Sequence, residues 1–112
     1  MNWEKLTIKA QEAIQEAQKK AESLGQQSIE NEHLLFALIS QKDGIIRPIL
    51  EKLGVKADMI ARDLDRELAK IPRVEGVSQT YISSRFKQTL DTAFTEAERL
   101  KDEFVSTEHL LI

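Results

Sequence analysis

No cysteine occurs among the 112 residues. Disulfides, thiolate metal sites and cysteine nucleophiles are excluded together, and a reducing compartment such as the cytoplasm suits the chain. Glycine and proline are scarce, at 4 and 2 residues, so long regular elements are seldom interrupted. The glycines stand apart at 25, 44, 54 and 76. No Gly-x-x-x-x-Gly-Lys-Ser/Thr loop is formed, so nothing in the chain is built to cradle nucleotide phosphates. Cations are not in excess. A net charge of −3 argues against non-specific nucleic-acid binding, which depends on neutralising phosphates. No uncharged apolar stretch approaches the ~20 residues that a membrane helix needs. The opening Met1-Asn2-Trp3-Glu4-Lys5 carries no apolar core of a signal peptide.

What is present is a helix former's composition. Charged residues make up 31% and hydrophobic ones 41%, the balance of one globular domain. Runs rich in Ala, Leu, Glu, Gln and Lys use the side chains that lose least on entering a helix. The composition predicts an all-α domain.

Periodicity places the helices. Ala10, Ala13, Ile14, Ala17, Ala21 and Leu24 make one stripe of a helix over 7–24, with Thr7 as N-cap and Gly25 at the left-handed position beyond its end. A second helix is expected from Asn31, as its cap, to Ser40, burying Leu34, Leu35, Leu38 and Ile39. A third spans about Ile45 to Leu53, with Pro48 tolerated in its first turn. A fourth, Ala57 to Ala69, buries Ile60, Ala61, Leu64 and Leu68. Pro72, Gly76 and a polar tail mark 71–80 as a linker. A fifth helix is capped by Ser83 or Ser84 and runs through Phe86, Leu90, Ala93, Phe94, Ala97 and Leu100.

A shift of 76 positions lays residues 6–36 on 82–112 without a gap. Ala17 then meets Ala93, Ala21 meets Ala97, Glu22 meets Glu98 and Leu24 meets Leu100. Glu32-His33-Leu34-Leu35 meets the identical Glu108-His109-Leu110-Leu111. A matching stripe alone is weak evidence, but an identical tetrapeptide at the same distance from it marks a duplicated helical unit. The expected architecture is a pair of tandem pseudo-symmetric helical repeats. The first covers about 6–70, and the second, 81–112, is incomplete. Long helices over 7–24 and 83–101 should be equivalent, each followed by a helix starting at Asn31 or Thr107, with no strand over 7–40. The end at Leu110-Leu111-Ile112 reads as a cut within the second repeat. Such a cut would bare Phe86, Leu90, Ala97 and the terminal Leu110-Leu111-Ile112 and favour self-association.

A long Ala-rich helix followed by a capped Glu-His-Leu-Leu, repeated once, resembles the N-terminal domain of the Clp family of AAA+ unfoldases. Trp3-Glu4-Lys5-Leu6-Thr7, the linker start Ile71-Pro72-Arg73-Val74-Glu75-Gly76, and Leu100 to Leu111 look most like the ClpB disaggregase branch. The resemblance covers the whole chain. It implies a cytoplasmic, homohexameric parent of the stress response whose two ATPase modules use ATP and magnesium. It also implies a non-catalytic role for this segment, with no cofactor of its own. The implied partners are unfolded or aggregated client proteins, met in an apolar groove with a few polar residues at its border. By position those polar residues are Thr7, Asp102 and Glu108, with Leu90, Phe94 and Leu110 as groove residues. Glu32 is a secondary candidate, because in the ClpC branch the Glu of each Glu-His motif helps bind phosphorylated arginine. The rest of that site is not evident in this sequence.

Plainer readings stand beside these. Glu32 and Glu108 are also first-turn acids that favour a helix dipole, worth about 0.3–1 kcal/mol each. Thr7 is also an N-cap, and Asp102-Glu103 a solvated pair. Phe86 and Phe94 suit a core, although Phe94 meets polar Gln18 in the other repeat. The two histidines lie in separate repeats without metal-ligand spacing, so each is read as a satisfied residue near a helix start. Other functional readings are docking of an adaptor protein or co-chaperone on the same surfaces, and a structural helical repeat without a ligand.

Overall fold

The computed structural model describes residues 3–72 and 80–111. Most of the expected linker, residues 73–79, and the terminal Ile112 lie outside that range. Helices dominate: α1 (Ile8–Ser23), α2 (Asn31–Ser40), α3 (Ile46–Lys52), α4 (Ala57–Ala69), α5 (Ser84–Arg99) and α6 (Thr107–Leu111). A 3₁₀ turn at Trp3–Lys5 precedes α1, and the Gln11 side chain reaches back to the Trp3 and Leu6 carbonyls at its end.

Two short strands depart from the strand-free expectation: β1 (Ser28–Ile29) and β2 (Tyr81–Ile82), paired in parallel. They follow from the duplication. The Thr7 amide, leading into α1, donates to the Val105 carbonyl at 2.9 Å. The Ser83 amide, leading into α5, donates to the Ile29 carbonyl at 3.0 Å. Under the 76-residue shift these are one bond made twice, each repeat lending its loop to the other's helix start. An isolated bridge between Leu6 and Val105 completes the second instance. Such reciprocity is that of a twofold axis rather than a translation.

Local chemistry explains the helix ends. Thr7 Oγ1 accepts from the Ala10 amide and Ser83 Oγ from the Phe86 amide, at 3.2 and 3.1 Å. α1 and α5 close alike. Gly25 and Lys101 sit at positive φ (67° and 59°), and the residues after them, Gln26 and Asp102, donate back to Ala21 and Ala97 at 2.9 and 2.8 Å. This Schellman geometry favours glycine, and lysine there is strained. Lys101→Gly is therefore expected to raise stability by about 0.5–1 kcal/mol, read as an upward shift in thermal midpoint. A lower midpoint would mean that the lysine stem contributes packing that outweighs its backbone strain.

The cap of α2 differs from expectation. Asn31 is the first helical residue, and Glu30 occupies the cap position. The Asn31 side chain turns away to accept from Thr89 Oγ1 of α5 at 2.9 Å. The Glu30 amide is taken instead by His33 Nδ1 at 2.8 Å.

One core joins both repeats. α1 contributes Ala10, Ala13, Ile14, Ala17 and Ala21; α2 adds Leu34, Ala37, Leu38 and Ile39; α5 and α6 add Phe86, Leu90, Ala93, Ala97 and Leu110. The expected bare faces are not bare: Phe86, Leu90, Ala97 and Leu110 are all buried. α6 lies against α1 and α3, and α5 against α2, so the first repeat covers what the second presents. Leu100, expected on the apolar stripe of the fifth helix, is half exposed beyond the end of α5. Ile60 and Ala61 are only partly covered, at the border of the core.

Candidate functional site

Thr7, Asp102 and Glu108 border the same short segment, residues 102–109. Thr7 joins it through the Val105 carbonyl, and the Val105 amide returns a bond to the Lys5 carbonyl at 2.7 Å. Asp102, with a side chain 48% exposed, accepts from His109 Nε2 at 2.9 Å. His109 Nδ1 faces the Ser106 amide at 2.9 Å and Ser106 Oγ at 3.0 Å. A ring nitrogen receiving a backbone N–H must be unprotonated, so the proton of neutral His109 sits on Nε2 and points to Asp102. Glu108, half buried on the first turn of α6, has no side-chain partner among the described residues.

The first repeat carries the same constellation with different occupants. His33 is fully buried, and its Nε2–H donates to Gln26 Oε1 at 2.7 Å. The Gln26 amide is fixed from its other side by the Leu68 carbonyl, at 2.6 Å. Burial pushes the His33 imidazole below the usual histidine range, against the opposing pull of Glu30 and Glu32. Glu32 is not free to act like Glu108. Arg85 of α5 clamps it through Nη2, at 2.7 and 2.9 Å to its two oxygens, and also reaches Glu30 at 3.4 Å. Both histidines are the satisfied helix-start residues that the sequence suggests.

The apolar candidates part company. Leu90 is 2% exposed and Leu110 4%, so both are core residues, whereas Phe94 is half buried against the core. Leu110 does line a groove of about 600 Å³ between α2 and α5–α6. Its floor is Leu34, Leu35, Leu38, Leu64, Leu110 and Leu111, and Glu32, Arg85, Thr89 and Thr92 stand along it. Thr7, Asp102 and Glu108 are not part of that groove. The candidates thus fall on two surfaces, a polar edge at 102–109 and an apolar groove beside it.

Sequence reasoning missed Arg85, Gln26 and two exposed apolar residues, Ile8 (74% exposed) and Phe104 (48%), which flank the Leu6–Val105 bridge along the chain. The 76-residue shift carried a signal for the first two. It sets Arg85 on Lys9 and Asp102 on Gln26, preserving a cation at one position and a hydrogen-bonding group at the other. Among the described residues, no three of His, Asp and Glu converge as a metal would require, and no helix is long and apolar enough to cross a membrane.

Residues 5–112 match the family model described as the Clp repeat (R) N-terminal domain. A chaperone protein ClpB of Rhodopirellula baltica is 43% identical over 109 residues, covering 97% of this chain and 12% of that protein. The ClpB of Corynebacterium diphtheriae is 41% identical over 107 residues, covering 94% and 13%. Among solved structures, the Hsp104 N-terminal domain from Candida albicans superposes with a TM-score of 0.84 at 22% identity, covering 95% of this chain and 70% of that one. The N-terminal domain of the ClpV1 ATPase from E. coli gives 0.88 at 22% identity, covering 96% and 66%. The chain spans 12–13% of the length of the curated ClpB relatives it matches.

Proposed function

Because the chain belongs to the Clp repeat N-terminal domain family, we propose that it is the client-engaging domain of a ClpB-type disaggregase. The ATPase modules of such a protein lie outside this region. The proposed parent is a cytoplasmic homohexamer that uses ATP and magnesium to extract unfolded or aggregated proteins, which this domain meets first. Unfolded chains present apolar side chains beside unpaired backbone donors and acceptors. A promiscuous receptor needs polar groups held ready but unspent next to apolar surface.

The observation that carries this reading is the asymmetry of the two glutamates. Glu32 is spent on Arg85, whereas its equivalent Glu108 has no side-chain partner among the described residues. Asp102 is bonded to His109, the residue after Glu108, Thr7 is bonded to Val105 of the same segment, and Ile8 and Phe104 add exposed apolar surface. Leu90 and Leu110 are buried within α5 and α6, and half-buried Phe94 is the apolar candidate that keeps exposed surface. Adaptor docking is the second reading, favoured by the separate α2–α5–α6 groove.

NMR titration with α-casein, an unfolded probe protein, tests the two. Shifts centred on Thr7, Asp102 and Glu108 are expected, and Glu108→Gln should weaken binding about tenfold, the scale of one charged hydrogen bond. Its stability should fall by no more than the ~0.3–1 kcal/mol of a first-turn acid on the helix dipole, because among the described residues the carboxylate has no side-chain partner to lose. Thr7→Ala should weaken binding as well, with about 1 kcal/mol of stability lost along with the N-cap. Shifts confined to the groove would favour adaptor docking, and unchanged affinity in both variants would remove the client role from these residues.

A further inference from the structure

The corner between α3 and α4 carries apolar surface that neither the core nor the 102–109 edge uses. Leu53, which ends α3, is 72% exposed, and Met59, in the first turn of α4, is 56% exposed. Val55 lies between them in the chain and is partly exposed. α4 buries Ala57, Leu64 and Leu68, so Met59 stands on its outer side. The corner is held by its backbone. Gly54 sits at a φ of 80°, its amide donates to the Glu51 carbonyl at 3.0 Å, and the Val55 amide donates to the Leu50 carbonyl at 2.9 Å. This is the closed turn that also ends α1 and α5. A hollow of about 600 Å³ lies along it, with Val55 and Met59 in its wall. Apolar side chains held out by a fixed turn lose little further freedom when a partner covers them.

Charge selects what would cover this corner. Its two carboxylates are both taken by Arg47, whose Nη2 lies 2.8 Å from Asp58 and whose Nη1 lies 4.0 Å from Glu51. Asp58 is held below the ordinary carboxylate range first by its bond to Arg47, and the nearby charge of Arg62 adds to the effect. Further along α4, Asp63, Asp65 and Glu67 are paired with Arg66, Lys20 and Lys70. Lys52, Lys56 and Arg62 have no ion-pair partner among the described residues. The corner therefore presents a local excess of positive charge on a chain whose net charge is −3.

We propose that the α3–α4 corner is a docking surface for an acidic amphipathic segment of a partner protein. Leu53, Val55 and Met59 receive the apolar stripe of that segment, and Lys52, Lys56 and Arg62 receive its carboxylates. A second copy of this chain would bring the same cations to a shared contact, where they repel. An anionic bilayer would face the net negative charge of the whole domain. A short acidic segment meets only the local excess, because exposed charges beyond about 8 Å are largely screened at physiological salt. Neither the client edge nor the α2–α5–α6 groove takes part, so this surface stands or falls apart from both.

The probe is a blocked synthetic peptide with a leucine stripe flanked by glutamates, titrated into the ¹⁵N-labelled domain. Amide shifts are expected at Leu53, Val55, Lys56, Met59 and Arg62, with affinity falling several-fold from low to physiological salt. A Lys56→Glu, Arg62→Glu double variant should bind about tenfold more weakly while its amide spectrum stays folded. Met59→Ser should weaken binding as well, and the same peptide with lysines for glutamates should leave the corner unmoved. No binding, shifts confined to other surfaces, or equal binding of the lysine peptide would overturn the proposal. So would an affinity that is indifferent to both variants. Uptake of the domain by phosphatidylserine vesicles, lost in the double variant and preferred over the peptide, would assign the corner to a membrane instead. A dimer in sedimentation equilibrium that Met59→Ser breaks would assign it to self-contact, and either result would overturn the proposal too.

Discussion

Phe86→Ala is expected to cost about 3–5 kcal/mol, the range for emptying a buried phenylalanine site. Phe86 is 0% exposed and is the largest of the fully buried side chains. It lies in the first turn of α5, and its own amide closes the Ser83 cap. Under the internal duplication its counterpart is Ala10, also fully buried. The two repeats therefore differ at this buried position, a ring in one and a methyl group in the other. The alanine variant makes the repeats alike there and leaves a volume that no neighbour can occupy without moving a helix. An ordinary domain is stable by about 5–15 kcal/mol, so the loss takes a large share of the total. Urea unfolding followed by circular dichroism gives the midpoint, and a shift below about 1 kcal/mol would mean that α5 is held chiefly by contacts other than Phe86.

Gln26→Ala should cost about 2–4 kcal/mol, although the residue is polar and precedes no helix cap of its own. Its amide joins three elements. Nε2 donates to the Leu68 carbonyl at the end of α4, and Oε1 accepts from His33 at the start of α2. Truncation orphans the buried His33 ring N–H, worth roughly 1–3 kcal/mol when left unpaired, takes one partner from the Leu68 carbonyl, which keeps the Ile71 amide at 3.2 Å, and empties the volume of a side chain that is 1% exposed. Gln26→Leu, which keeps the volume, should lose somewhat less, since its cost lies in the missing bonds alone. A leucine variant as stable as the parent would show that water replaces the amide.

Acidification probes the same cluster. The His33 imidazole is lowered from the ordinary 6.5, so the unfolded chain takes up its proton at a higher pH than the folded one. The stability it contributes is complete above that value and is lost as the pH falls below it. The domain should therefore lose stability as it is acidified from neutral pH, and less so in a Gln26→Ala, His33→Leu double variant. Chemical denaturation at several pH values measures the slope.

The helices were legible because their signals are local. The expected span of about Ala57 to Ala69 coincides with α4, the second helix starts one residue earlier than a cap at Asn31 implies, and Thr7 and Ser83 cap as their hydroxyls suggest. Local reasoning failed where a distant residue competes for the same group. Asn31 looks like a cap until Thr89 of α5 claims its side chain, and His33 then takes the neighbouring amide. The β1–β2 pair is invisible in four residues of sequence, because its partners lie 53 positions apart. The family resemblance named Thr7, Asp102 and Glu108, and the Thr7 amide is bonded to Val105 of the segment that carries the other two. It could not foresee that Leu90 and Leu110 are covered by the first repeat, because burial is a property of the whole packing and not of a position in a motif.

The bonds exchanged between the two helix starts have a further meaning. A lone repeat would hold a lead-in amide at its long helix and a loop carbonyl at its short one, and could not satisfy the first with the second, since each finds its partner in the other repeat. Two copies of one repeat facing each other about a twofold axis would satisfy both at once, through an isologous interface. The folded chain is in that sense a homodimer made covalent. The two halves differ in what their equivalent side chains do. One half spends its glutamate on Arg85 and locks its histidine on Gln26, while in the other Glu108 has no side-chain partner among the described residues and the histidine is set on Asp102.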